Sequence, residues 1–224
     1  MKAMRQKGIG RYLATAFTAA LALALALTLP AQASSENPDA ERLTSLLEPL
    51  KTYSADFTQR VTDGGGGSFQ DAEGHMWLSR PGRFNWQVDD PYPQTVISDG
   101  EQVYLHDPDL EQVSIRPLDR RVTHTPALLL SGRADQLTDN YRVSLRQQGT
   151  TEIFSLTPKA NDTLFQSLEL MFHSERLAGI NLTDSTGQRT EIAFENIELN
   201  PSVSDDRFRF DIPEGVDVIR QDGP

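Results

Sequence analysis

One arginine in this chain stands where a charge is costly. In the run Gly74-His75-Met76-Trp77-Leu78-Ser79-Arg80-Pro81-Gly82-Arg83-Phe84-Asn85-Trp86, two strands are expected on either side of a short turn. Met76, Leu78 and Arg80 fall at every second position and so share one face of the first strand. If that face is the inside of a curved sheet, the guanidinium looks into an apolar hollow and needs a partner. The other reactive side chains form no catalytic pattern. His75, His106, His124 and His173 lack metal-ligand spacing, G-x-S-x-G is absent, and there is no cysteine. The carboxylate pairs Asp89-Asp90 and Asp205-Asp206 flank turns or chain ends, where solvated acids are ordinary. No metal, no cofactor and no catalytic residue are expected. The Gly64–Gly67 run has no strand–loop–helix context, so it reads as a hairpin tip and not as a phosphate cradle.

These residues need elements to hold them. Asn37-Pro38 predicts a helix start, with Asn as cap and Pro at the first helical position. Ala40, Leu43, Leu46, Leu47 and Leu50 then form one apolar stripe, and Pro49 ends the helix near Glu48. From Ser54 the period changes to two, with Ala55, Phe57 and Val61 alternating against Asp56, Thr58 and Arg60. Further runs follow at Asp71–Ser79, Arg83–Val88, Thr95–Ser98, Gln102–His106, Gln112–Pro117, Tyr141–Gln148, Glu152–Thr157, Gln166–His173, Leu177–Thr183 and Arg189–Ile197, separated by turn residues. The expected fold is mainly β with a few short helices: an antiparallel meander of about eleven strands, curled into an open or incomplete barrel.

One segment breaks the β rhythm. Thr125-Pro126-Ala127-Leu128-Leu129-Leu130-Ser131-Gly132 has a cap, a Pro at the first helical position and a Gly where a helix would stop. Asp135–Leu137 adds a turn. Three consecutive leucines cover more than half the circumference of so short a helix, so it must bury most of itself. Its natural place is across the mouth of the curled sheet, as a lid over 125–132. Phe57, Met76, Leu78, Trp86, Leu128, Leu129 and Leu130 are the candidates for lining the hollow beneath it.

The N-terminus reads as an address. Lys2, Arg5, Lys7 and Arg11 precede an apolar run from Leu21 to Leu29 and the small-residue site Ala31-Gln32-Ala33. Cleavage after Ala33 would leave residues 34–224 as a single domain in the periplasm. Four of the 21 Lys and Arg and none of the 32 Asp and Glu lie in residues 1–33, so the remainder carries a net charge of −15. That balance argues against nucleic acid as a partner. With no cysteine to receive a lipid, the chain is not expected to be a lipoprotein itself.

Taken in order, several pieces resemble the LolA family of periplasmic lipoprotein carriers. They are Ser54-Ala55-Asp56-Phe57-Thr58-Gln59, the Trp77–Trp86 segment with its Arg80-Pro81, and Ser98-Asp99-Gly100 with Tyr104 beyond. Leu110-Glu111-Gln112-Val113, Thr125-Pro126-Ala127, Leu156-Thr157-Pro158-Lys159 and the run from Phe208 to Ile219 fit as well. The resemblance implies an open β-barrel closed by helices, and a carrier that is a monomer. It implies acylated lipoproteins as cargo, taken from an inner-membrane ABC transporter of the LolCDE type and passed to an outer-membrane receptor of the LolB type. It also implies that Arg80 bonds a lid containing Thr125, Pro126 and Ala127 in the cargo-free form, and that Phe84 engages the transporter. A periplasmic carrier or sensor of another lipid, an RseB-like regulator or a glycolipid carrier, is the alternative.

Overall fold

Asn37 caps the helix that its Asn-Pro pair predicts. Its side-chain oxygen accepts from the backbone N–H of Asp39 at 3.0 Å and of Ala40 at 3.4 Å, and helix α1 runs Pro38–Leu47. The structure is a computed structural model that describes residues 37–65, 67–118, 130–132, 138–160 and 165–221. All of these fall in one compact unit, Asn37–Pro224. Among the described residues no helix is long and apolar enough to cross a membrane.

The period-two runs become strands β1 (Thr52–Thr62), β2 (Ser68–Ser79), β3 (Arg83–Asp90), β4 (Gln94–Asp99), β5 (Gln102–Asp107) and β6 (Gln112–Pro117). The second series is β7 (Tyr141–Gln148), β8 (Thr151–Pro158), β9 (Phe165–His173), β10 (Arg176–Asp184) and β11 (Arg189–Leu199), with β12 (Asp217–Arg220) at the end. They form one sheet in the order β12-β6-β5-β4-β3-β2-β1-β11-β10-β9-β8-β7. Two meanders therefore share a seam at β1 and β11, and β12 and β7 are the two edges. β12 adds one strand to the eleven runs read from the sequence, and it pairs parallel to β6, whereas the meander pairs are antiparallel.

The register explains which side chains face inward. Across β1 to β6 one row reads Tyr53, Leu78, Phe84, Ser98, Val103 and Arg116; the next reads Ala55, Met76, Trp86, Val96, Leu105 and Ser114. On the other meander Phe194, Ile180, Leu170, Leu168, Phe154, Leu156 and Val143 continue the same face. A single apolar cluster gathers residues from β1–β5 and β7–β11 together with Leu43 and Leu47 of α1 and Leu130. One sheet of twelve strands can meet itself in one cluster only by curling, so this is the concave face.

Helix α1 covers part of that face and also the β7 edge. Asn37 Nδ2 donates to Val143 O at 2.9 Å, and Leu145 N donates to Asp39 Oδ2 at 2.9 Å. Two backbone groups that an open edge would offer to another strand are thus occupied. Arg42 adds a two-pronged pair to Glu152 of β8 at 2.9 and 2.8 Å. Hydrogen bonding to Arg42 holds the Glu152 carboxyl below its ordinary value, against the opposing effect of burial.

The outer face of β2–β5 is braced by the chain's last part. Asn85 Nδ2 donates to Arg207 O at 2.6 Å, and the Arg207 guanidinium lies over the Trp77 ring at 4.1 Å. Phe208, in the short helical turn Asp205–Phe208, is buried, and Phe210 packs on Tyr104 and His106.

Candidate functional site

The turn between β2 and β3 is where the concave face meets its cover. Arg80 leaves the end of β2 on the same side as Leu78. Its Nε donates to Leu130 O at 2.8 Å and its Nη1 to Leu47 O at 2.6 Å. Its backbone N–H bonds to Lys51 O at 2.9 Å. Two residues on, Gly82 N donates to Ser131 O at 2.8 Å, and Ser98 Oγ holds Gly82 O at 2.7 Å. Gly82 has φ +81, the left-handed region that glycine enters without strain, which aims its N–H at the cover. Leu130 and Ser131, at 1% and 2% exposure, are held by the two ends of one three-residue turn, Arg80 and Gly82.

The electrostatics fit a cation held inside an apolar shell. Burial pushes the Arg80 guanidinium down to about 10, still well above neutrality, so it stays charged while bonded to carbonyls. Among the described residues its Nη2 is buried with no acceptor. A buried donor without a partner is uncommon and costly.

Beneath the turn lies a continuous aromatic and aliphatic surface. Phe57 and Trp86 stack with ring centroids 3.6 Å apart, and Phe84 lies 6.1 Å from Trp86. Met76, Leu78 and Phe84 are at 0% exposure, Phe57 at 2% and Trp86 at 4%. Gly74 makes the stack possible: a Cβ there would sit 2.9 Å from Phe57 Cζ and 1.9 Å from Gln87 O. Burying each of these large side chains is worth about 1.5–3 kcal/mol.

The structure thus gathers Arg80, Phe57, Met76, Leu78, Phe84, Trp86 and Leu130 on one face. Thr125, Pro126, Ala127, Leu128 and Leu129 lie outside the described residues, as does Asp135–Leu137. Phe84 lies in the row between Leu78 and Ser98 and is fully buried. Sequence reasoning missed Leu47, whose carbonyl takes the second Arg80 bond, Gly82, which acts through its backbone groups, and Ser98, whose hydroxyl donates to Gly82 O. The Pro81-Gly82 pair signalled a turn, but nothing in the sequence links Leu47 O to Arg80. Among the described residues no group of three or more His, Cys, Asp or Glu is placed to hold a metal ion.

Leu130, in the described stretch 130–132, belongs to the apolar cluster of the concave face. Fold and site together define a class: a single curled sheet with an apolar inner face, to which the segment 130–132 is hydrogen-bonded at the β2–β3 turn.

Comparison with known proteins narrows that class. The model of the family described as outer membrane lipoprotein carrier protein LolA matches residues 48–211, and the chain belongs to this family. It is 61% identical over 208 residues to the outer-membrane lipoprotein carrier protein of Chromohalobacter salexigens, covering 93% of this chain and 99% of the relative. With the protein of the same description from Pseudomonas syringae pv. syringae it shares 46% identity over 209 residues, 93% of this chain and 97% of that one. Among solved structures, an uncharacterized conserved protein from Thermus thermophilus shares the fold. The TM-score is 0.50 at 11% identity, over 81% of this chain and 99% of the other.

Proposed function

We propose that this protein is a periplasmic chaperone for acylated lipoproteins. It accepts them from an inner-membrane ABC transporter of the LolCDE type, shields their acyl chains on the concave face, and delivers them to an outer-membrane receptor of the LolB type. The physical need is plain, since each exposed methylene costs about 0.8 kcal/mol in water, and long acyl chains cannot cross an aqueous space bare. The single observation that carries the reading is the way the cover is held. Leu130 and Ser131 are fixed to the β2–β3 turn by two hydrogen bonds, Arg80 Nε to Leu130 O and Gly82 N to Ser131 O. Such a closure is strong enough to hide the face and weak enough for acyl chains to displace.

In this scheme Arg80 is the switch, and the lid containing Thr125, Pro126 and Ala127 moves with Leu130. Phe57, Met76, Leu78 and Trp86, with Leu128, Leu129 and Leu130 of the lid, line the loaded cavity. Phe84 becomes reachable for the transporter when the cover lifts. The carrier acts as a monomer, directionality comes from its partners, and export to the periplasm relies on cleavage after Ala33. The test is a release assay. Residues 34–224 are added to spheroplasts making a labelled outer-membrane lipoprotein, and the supernatant is sized. A soluble one-to-one complex that requires ATP-competent membranes is expected. No complex, with a fluorescent fatty-acyl probe still bound, would transfer the reading to a carrier or sensor of another lipid.

A further inference from the structure

The concave face carries one arginine that the latch does not use. Arg116 ends the inner row Tyr53, Leu78, Phe84, Ser98, Val103, with Val103 as its direct neighbour on β5. It is half-buried, and burial holds its guanidinium below the ordinary arginine value. Most other arginines have visible partners: Arg42 and Glu152, Arg60 and Asp71, Arg83 and Asp205, Arg209 and Asp206. Arg116 has no acceptor among the described residues. The other polar groups of its row are already bonded, the Tyr53 hydroxyl to Leu177 O and the Ser98 hydroxyl to Gly82 O.

A second unmet donor lies on the same face, one step beyond that row. This is Nη2 of Arg80, buried and without an acceptor among the described residues. Deeper in the sheet the inner rows are apolar across β1 to β3, through Ala55, Met76 and Trp86 and then Phe57, Gly74 and Val88, with Gln94 on β4 and Ser114 on β6 as their polar ends. The face therefore grades from hydrocarbon-lined rows to a rim that holds two cationic donors. An acyl glyceride has the same grading. Its chains are pure hydrocarbon, and the first polar atoms after them are ester carbonyl oxygens, which accept but do not donate.

We propose that Arg116 donates to the ester carbonyls of the acylglycerol part of the cargo, so that the carrier distinguishes ester-linked chains from plain hydrocarbon. This rests on the carrier reading and adds to it the group that is recognised. The neutral carbonyl suits the surroundings better than an anionic head group, because residues 34–224 carry a net charge of −15. Arg80 Nη2 is available to a second carbonyl once the cover has lifted.

The test uses two matched fluorescent probes, a dialkanoylglycerol with ester links and a dialkylglycerol with ether links, binding to residues 34–224. A hydrogen bond from a charged donor is worth about a tenfold preference or more, so the ester probe is expected to bind about tenfold tighter. Arg116→Met keeps the apolar stem, and is expected to lose the preference while binding the ether probe as well as the unchanged protein does. Arg116→Lys, which restores a donor, is expected to recover part of it. Equal binding of both probes by the unchanged protein, or an unchanged preference in Arg116→Met, overturns the assignment while leaving the carrier reading intact. Failure to bind either probe, with the soluble lipoprotein complex also absent, overturns both.

Discussion

Replacing Arg80 by Leu separates loading from release. The guanidinium makes two bonds, but only the one from Nε to Leu130 O, at 2.8 Å, joins the cover to the sheet; the other ties Leu47 of α1. A hydrogen bond to a charged group contributes about 1.5–3 kcal/mol, and Leu130 O is left unpaired when it is lost. Against this, the closed state no longer has to desolvate a cation, a cost visible in the depressed Arg80 value of about 10. The net effect falls at the lower end of the range, a shift of roughly tenfold from closed to open. Apparent affinity scales with the binding-competent fraction, so Arg80→Leu should bind acylated cargo roughly tenfold tighter and pass it to receptor membranes correspondingly more slowly. The assay is titration with a fluorescent triacylated peptide, followed by transfer to liposomes bearing the receptor. Affinity and transfer both equal to those of the unchanged protein would refute the latch.

Three further outcomes follow from the packing. Gly74→Ala places a methyl 1.9 Å from Gln87 O, so β2 and β3 must part, and urea unfolding should show a loss of about 1–3 kcal/mol. Phe208→Ala empties the buried contact of the outer brace and should cost about 3–5 kcal/mol in the same measurement. Because Arg42 depresses the folded-state value of Glu152, this pair stabilises the protein above the ordinary glutamate value of 4.5 and the contribution is lost as pH falls through the lower, folded value. Arg42→Met should therefore flatten the acid limb of a stability–pH profile below about pH 4.5, and an unchanged limb would remove the pair from the account.

The strands were readable because their side chains alternate between a buried face and an exposed one. In β9, for example, Leu168, Leu170 and Phe172 are buried and Gln166 and His173 exposed, so period two is written directly into the chain. β12 was not readable. Asp217–Arg220 is four residues long and pairs with β6 across a distance of about a hundred residues, with no hairpin turn to announce its neighbour. The Arg80 face was legible from spacing, since Met76, Leu78 and Arg80 had to point together. What spacing could not supply was the acceptor side. Leu130 O and Leu47 O are backbone groups brought in by a long connection and by α1, and a carbonyl carries no signature of its own. Phe84 shows the same gap: its alternation with Trp86 placed both on one face, but spacing does not say that it is fully buried.

The central claim, that acyl chains take the concave face in place of the cover, is tested most directly by labelling. A lipoprotein whose acyl chain carries a photoreactive diazirine would be loaded onto the protein, irradiated, and the adducts mapped by mass spectrometry. The account predicts adducts on Phe57, Met76, Leu78 and Trp86. Adducts confined to the outer face, at Trp77, Tyr104 or Phe210, or to the exposed Tyr92 and Leu110, would contradict it.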